Sequence, residues 1–260
     1  ILRRNISAHS LFEYNALGWS LNHFLPARMG ELVKAYLAGD KEEESKSFML
    51  GTVAVSRFFD VLVLLLFAVS AAAILSIHIP DIILGIGIGA VSSGIGIILI
   101  LNTWPERVLG LLTLLPTSLR RRLEDKIELL VEGFTTIESL DSLLKVFASS
   151  VVVWSIQLLA VSALMKAFGL KLPLSAAAFV MGVKSLSGVL PSSPGNIGTN
   201  EYFTVLALLP VGVEKSVALG FAVFSHAVNY SVAVLLGLPL LIRHLPDTRL
   251  FDRENGGNLI

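Results

Sequence analysis

Residues Ser216 to Ile242 read SVALGFAVFSHAVNYSVAVLLGLPLLI, with no formal charge except the one His226 can take on. An apolar run of that length spans a bilayer, whose hydrocarbon core is about 30 Å thick and takes about 20 helical residues. Three more stretches share this character: Val61 to Ile77, Ile82 to Thr103 and Val146 to Met165. The first and third extend upstream through Phe48 to Asp60 and Leu143 to Lys145. Composition agrees. Of 260 residues, 54% are hydrophobic and 15% charged, with a mean hydropathy of +0.76, whereas a soluble chain carries about 25% charged residues. The expected fold class is all-α, a polytopic membrane helix bundle. Lys+Arg and Asp+Glu both number 20, so no net charge attracts nucleic acid. The absence of cysteine excludes disulfides, thiolate metal sites and cysteine nucleophiles. The chain opens on Ile1 without a signal-peptide pattern and reads as a fragment lacking its natural start and N-terminal helices.

Two apolar stretches are interrupted. Leu11 to Leu25 is broken by Pro26, Arg28, Gly30 and Glu31, and Leu172 to Val183 meets Lys184, Pro191, Pro194, Gly195 and Gly198 before apolar character resumes at Tyr202. Proline removes a backbone donor and glycine frees the chain, and at membrane depth the resulting unsatisfied peptide groups survive only where protein or water covers them. The halves Glu31 to Ala38 and Tyr202 to Leu209 are too short to span at about 1.5 Å per residue, so each interruption reads as a re-entrant hairpin.

The positive-inside rule tests this reading. With two hairpins, Arg3, Arg4, Lys41, Lys46, Arg107, Arg120, Arg121, Arg122, Lys126, Lys145, Arg243, Arg249 and Arg253 share the cytoplasmic side, against Lys166, Lys171 and Lys215 outside. If the first segment crossed fully instead, the Arg120-Arg121-Arg122 run would be external. The chain is then one integral membrane domain, 1–260, with a first repeat over about 8–102, a cytoplasmic linker over about 104–142 and a second repeat over about 143–243. In the linker Leu119, Leu123, Ile127, Leu130, Phe134 and Ile137 recur every three or four residues. That period predicts an amphipathic helix on the inner membrane surface or packed on the bundle.

An internal echo supports the two halves. Leu50-Gly51 followed by Ser56-Arg57-Phe58-Phe59-Asp60 returns, 169 residues on, as Leu219-Gly220 followed by Ser225-His226-Ala227-Val228-Asn229. Leu25-Pro26, Gly30 and Glu31 are echoed by Leu190-Pro191, Gly195 and Glu201. Three full crossings between the hairpins make the repeats inverted, the plan of alternating-access transporters, whose half-helix N-termini point at anionic groups of the substrate.

Arg28, Glu31, Lys34, Arg57, Asp60, Lys184 and Glu201 lie in or beside apolar segments, where ionisable groups are costly and face an interior or a wet cavity. Arg57 and Asp60, or Arg28 and Glu31, are three apart and can pair structurally. Lys184 has no close acidic neighbour in sequence; with Arg28 and Arg57 it offers a phosphate a cavity of two guanidinium forks and a point charge. No pair of histidines shares a helix turn, which argues against a metal at His23 or His226. Lys184 with Ser187 lacks the surroundings of a Ser-Lys hydrolase. Gly85, Gly87 and Gly89 lie inside an apolar span with no preceding strand and so make no dinucleotide fingerprint; Gly85 with Gly89, and Ser92 with Gly96, instead give small residues four apart, a close helix-packing face.

Gly18, Asn22, the run Leu25 to Leu32, Arg57 to Asp60 and the run Leu190 to Glu201 resemble the lysylphosphatidylglycerol synthase transmembrane-region family of flippase-like membrane proteins. Asn196 and Asn200 stand where the family more often has a glycine and a basic residue. The resemblance implies movement between leaflets of an anionic or aminoacylated phospholipid, or of a polyprenyl-phosphate-linked lipid, in a prokaryotic plasma membrane. A lipid-modifying enzyme or glycosyltransferase is the implied partner; neither enzymatic activity nor a cofactor is expected. The expected substrate-binding residues are Asn22, Arg28, Glu31, Arg57, Asp60, Lys184, Glu201, His226 and Asn229, with Pro26, Gly30, Pro191, Pro194, Gly195 and Gly198 breaking the helices. The alternatives are a membrane enzyme acting on a lipid phosphate and a non-transporting scaffold for a lipid-modifying partner.

Overall fold

The structure, a computed structural model, describes residues 6–25, 29–110, 127–129, 131–133, 140–185 and 193–244. These are helical and include no strand. In chain order the helices are α1 (Ala8–Leu21), α2 (Gly30–Lys41), α3 (Lys46–Ile74), α4 (Asp81–Thr103), α5 (Pro105–Gly110), α6 (Leu140–Ala167), α7 (Leu174–Ser185), α8 (Thr199–Leu208) and α9 (Lys215–His244). Four of them, α3, α4, α6 and α9, are long and apolar enough to cross a membrane. Pro26, Arg28, Pro191 and most of the Leu119 to Ile137 element lie outside the described residues.

Local chemistry sets the helix ends. Ser7 caps α1 by accepting from the Ser10 amide at 3.0 Å, and Ser45 caps α3 by accepting from the Phe48 amide at 3.4 Å, each satisfying a donor that the first turn leaves unpaired. At the start of α9 the exposed Glu214 carboxylate accepts from the Ser216 amide at 3.1 Å and from its hydroxyl. These bonds hold its carboxyl below the usual range. Helix α3 begins at Lys46, well ahead of the charge-free run at Val61, because Arg57 and Asp60 are neutralised within the helix and do not mark its end.

The two interrupted segments have matching plans. Helices α1 and α2 lie antiparallel: Asn22 at the end of α1 bonds Glu31 at the start of α2 at 3.1 Å, while Tyr14 donates to Glu42 beyond the end of α2 at 2.8 Å. Gly18 and Gly30 close this hairpin. A Cβ on Gly30 would sit 2.1 Å from the Gly18 carbonyl oxygen, and one on Gly18 would sit 2.8 Å from Lys34 Cβ. Helices α7 and α8 pair in the same way, with Ala177 and Ala178 beside Ala207 and Leu208 in one core cluster.

Each long helix then packs twice. Helix α3 lies on α2 of its own half and on α7 of the other; α9 lies on α8 of its own half and on α1 of the other. Two apolar clusters sit at opposite ends of this pair. Tyr14, Leu17, Ala35, Leu37, Ala38 and Met49 meet Leu240 and Leu241 at one end. At the other, Ala71 and Ala72 meet Met165, Ala177 to Val180, Leu208, Ala218 and Phe221. From Met49 to Ala71, and from Ala218 to Leu240, the helices rise roughly 33 Å, close to the hydrocarbon thickness of a bilayer. Lys41, Lys46 and Arg243 fall at the first end and Lys166, Lys171 and Lys215 at the second.

Beside this core stand α6, packed on α3 through Val55 and Phe59 against Leu143, Val146 and Phe147, and α4, no part of whose apolar window is buried. Of the linker, residues 127–129 and 131–133 are helical. Gly133 sits on the start of α3, where a Cβ would meet the Phe48 carbonyl oxygen at 2.3 Å and Gly51 Cα at 2.8 Å.

Candidate functional site

Glu31, in the first turn of α2, places one carboxylate oxygen 2.7 Å from an Arg57 guanidinium nitrogen and 3.1 Å from the Asn22 amide. Its other oxygen lies 2.9 Å from the Lys34 ammonium. Lys34 also donates to Asn15 at 3.2 Å. Arg57 turns its second terminal nitrogen to Asp60 at 3.2 Å, and the far oxygen of Asp60 accepts from the Ser150 hydroxyl at 3.1 Å and the Trp154 indole at 3.0 Å. Two cations and two carboxylates thus join α1, α2, α3 and α6 with no net charge. An ionised side chain in a spanning helix costs about 2.5 to 3.5 kcal/mol on insertion scales, so four unpaired ones would cost roughly 10 kcal/mol; mutual pairing offsets this. The array is not sealed. The Arg57 side chain remains 42% exposed, and among the described residues Arg57 Nε and Asn22 Oδ1 are buried without a hydrogen-bond partner.

The second half builds its site on the same register. Helix α8 opens after Gly195, Asn196 and Gly198, all with positive φ (71°, 58° and 88°). Glycine tolerates this left-handed backbone best, and it lets the chain turn sharply into the helix. Glu201 then folds back to accept from the Gly198 amide at 2.7 Å and gives its other oxygen to His226 Nδ1. Arg57 is the twelfth residue of α3 and His226 the twelfth of α9. Lys184, half-buried on α7, stands within Coulombic reach of Glu201 and forms no ion pair among the described residues. Asn229 turns away from this pair and donates to the Ser225 carbonyl at 2.7 Å, within its own helix.

Both half-helix N-termini carry a carboxylate of the chain itself, Glu31 on α2 and Glu201 on α8. The positive end of each helix dipole is thereby already served. An anion approaching either N-terminus would meet these carboxylates beside the cations Lys34 and Arg57 in the first half and Lys184 in the second. The pairing expected between Arg57 and Asp60 forms. Glu31 takes Arg57, Lys34 and Asn22 as its described partners, while Arg28 lies outside the described residues. Arg57 bonds Glu31 and Asp60, while Lys184 faces Glu201.

The two breaks meet at Tyr230, which donates to the His23 carbonyl just past α1. Its ring packs edge-on against His23 and Phe24, with centroids 5.6 and 5.5 Å away, and lies 5.5 Å from His226. A Cβ on Gly195 would strike the Tyr230 hydroxyl at 2.4 Å and the His23 carbonyl at 2.8 Å, so glycine is what allows this approach. Tyr230, Ser150, Trp154 and Asn15 were absent from the residues the sequence singled out. Ser150 and Trp154, four apart on one face of α6, carried the only readable signal, two polar groups in register on an apolar span. Among the described residues no three His, Asp or Glu side chains are grouped to hold a metal.

The sequence model of the family described as the lysylphosphatidylglycerol synthase TM region matches residues 1–237. A UPF0104 membrane protein of the archaeon Methanocaldococcus jannaschii is 26% identical over 219 residues, covering 84% of this chain and 91% of its own length. No solved structure matches.

Proposed function

Since the chain belongs to the lysylphosphatidylglycerol synthase transmembrane-region family, an integral membrane family linked to lipid metabolism, we propose that it moves a lipid with an anionic or aminoacylated headgroup between leaflets. The carrying observation is the charge array of Lys34, Glu31, Arg57 and Asp60 among apolar helices, with Arg57 partly open and its Nε unpartnered. Arg57 would take the lipid phosphate by its free edge while Glu31 and Asp60 hold it in place, and Lys184 would offer a second cation deeper along the path. The carboxylates can engage a cationic aminoacyl group. We read the hairpins as re-entrant and inverted. In support, each long helix packs on the first arm of the opposite half, and the open ends of the two hairpins lie at opposite ends of the α3 and α9 pair. Such reciprocity is what a two-fold relation between halves produces, and it sets two charged sites along one path. The archaeal relative and the distribution of basic residues favour a prokaryotic plasma membrane.

Translocation leaves the lipid chemically unchanged, so no turnover is expected in detergent. The test reconstitutes Arg28→Ala, Arg57→Ala and Glu201→Gln proteins, shown to be folded and inserted, with fluorescent phosphatidylglycerol. At least tenfold slower movement between leaflets is expected from Arg57→Ala and Glu201→Gln. Wild-type rates in all three would refute the assigned site.

A further inference from the structure

The two halves place different chemistry at the same register. In the first, Glu31 pairs with Lys34 and with Arg57, a guanidinium that never loses its charge in proteins, and Arg57 pairs with Asp60. The four formal charges of this array sum to zero. In the second, the position of Arg57 is held by His226 and that of Asp60 by the neutral Asn229. Histidine is the side chain that changes charge in the physiological pH range. The His226 side chain is 8% exposed and touches the Glu201 carboxylate, itself 17% exposed.

Resting on the translocation reading, we infer that the Glu201–His226 pair is a proton-binding site whose loading accompanies the anionic headgroup. With the Nδ1 hydrogen donated to Glu201, the Nε2 lone pair takes a proton from hydronium: one O–H bond breaks, the Nε2–H bond forms, and water and the imidazolium result. Among the described residues, the titratable and charged groups around it are few. From α8 comes Glu201, while Tyr202 on that helix is 64% exposed. From α7, Lys184 is within reach of Glu201; from α9 itself, the Tyr230 ring lies alongside; and from the segment after α1, His23 packs on Tyr230. On α1, Glu13 is engaged by Arg243 and His9, and Tyr14 by Glu42, towards the far end of α9. At this site Glu201 and Lys184 cancel in formal charge while His226 is neutral; with His226 charged, these three side chains carry one net positive charge. A phosphodiester headgroup, carrying one negative charge, restores neutrality in that state. Linkage makes the effect mutual: whatever factor protonation adds to headgroup affinity, the headgroup adds to proton affinity. Proton and anion then cross together, and a pH difference across the membrane drives the lipid.

The experiment uses the full chain in phosphatidylcholine vesicles with trace short-chain fluorescent phosphatidylglycerol, read by back-extraction onto albumin from pH 6.0 to 8.5. The wild-type rate should fall about tenfold across this range, and His226→Arg, which copies the first half, should be pH-independent. A wild-type rate that is flat with pH, or a His226→Arg protein that keeps the wild-type dependence, overturns the proton site and leaves translocation standing. No movement above empty vesicles at any pH overturns both. A reading that needs no transport comes from carbon-13 histidine NMR of the wild type, with the His226 signal assigned by its absence in His226→Gln or His226→Arg. The signal should titrate in this range, with a midpoint that rises on adding dihexanoyl phosphatidylglycerol; a signal that does not titrate, or whose midpoint ignores the lipid, overturns the proposal.

Discussion

The first half of the molecule ties the start of α2 down with four charges on α2 and α3 and neutral partners from α1 and α6, whereas the second uses a single carboxylate shared between a backbone amide and a histidine. The hairpin arms differ in the same sense. In the first, Gly18 and Gly30 bring two helices into backbone contact; in the second, a Cβ on Gly198 would meet nothing within 4 Å, and the turn is made by backbone conformation. One plan, carried out twice, thus closes one hairpin by glycine packing between helices and turns the other through left-handed backbone.

Four substitutions break or sharpen this contrast. Gly30→Ala carries the largest expected effect, because its Cβ would fall 2.1 Å from the Gly18 carbonyl oxygen and the arms must part. A loss of about 3 kcal/mol follows from overpacking against backbone. Gly198→Ala, at φ 88° in open space, carries only backbone strain of about 1 to 2 kcal/mol. Thermal unfolding in detergent ranks the two, and an equal loss would erase the difference between the hairpins. Next, Asp60→Asn gives the first half the residue of the second. The carboxamide oxygen can keep one of the bonds from Ser150 and Trp154, but Arg57 loses a counter-charge while staying 42% exposed, for about 1 to 2 kcal/mol after solvent screening. The same melts measure it. The smallest effect belongs to Trp154→Phe, which keeps the ring and removes one donor to Asp60, costing about 1 kcal/mol; a double-mutant cycle with Asp60→Asn should return most of that value as coupling energy.

The spans, both breaks and the Arg57–Asp60 pair were legible because hydropathy, proline and glycine, and a spacing of three are local signals. Helix α3 was legible to within two residues of its start, since the extension through Phe48 to Asp60 meets an observed beginning at Lys46. The bonds that make the site are long-range. Glu31 reaches Arg57 across 26 residues, Trp154 reaches Asp60 across 94, and Tyr230 reaches His23 across 207. No periodicity encodes such meetings, and a tryptophan on an apolar helix reads equally well as facing lipid.

Helix α4 touches its neighbours little: a Cβ at Gly94 would strike Phe58, Gly87 faces Leu65 at 3.9 Å, and Gly85, Gly89 and Gly96 meet nothing within 4 Å. Most of its surface is therefore left to lipid tails, which ask only for apolar side chains. On the re-entrant reading proposed above, α4 also makes the number of crossings between the hairpins odd, and that parity sets the two hairpins in opposite leaflets. Such a helix constrains its sequence to be apolar over one bilayer thickness and to little else.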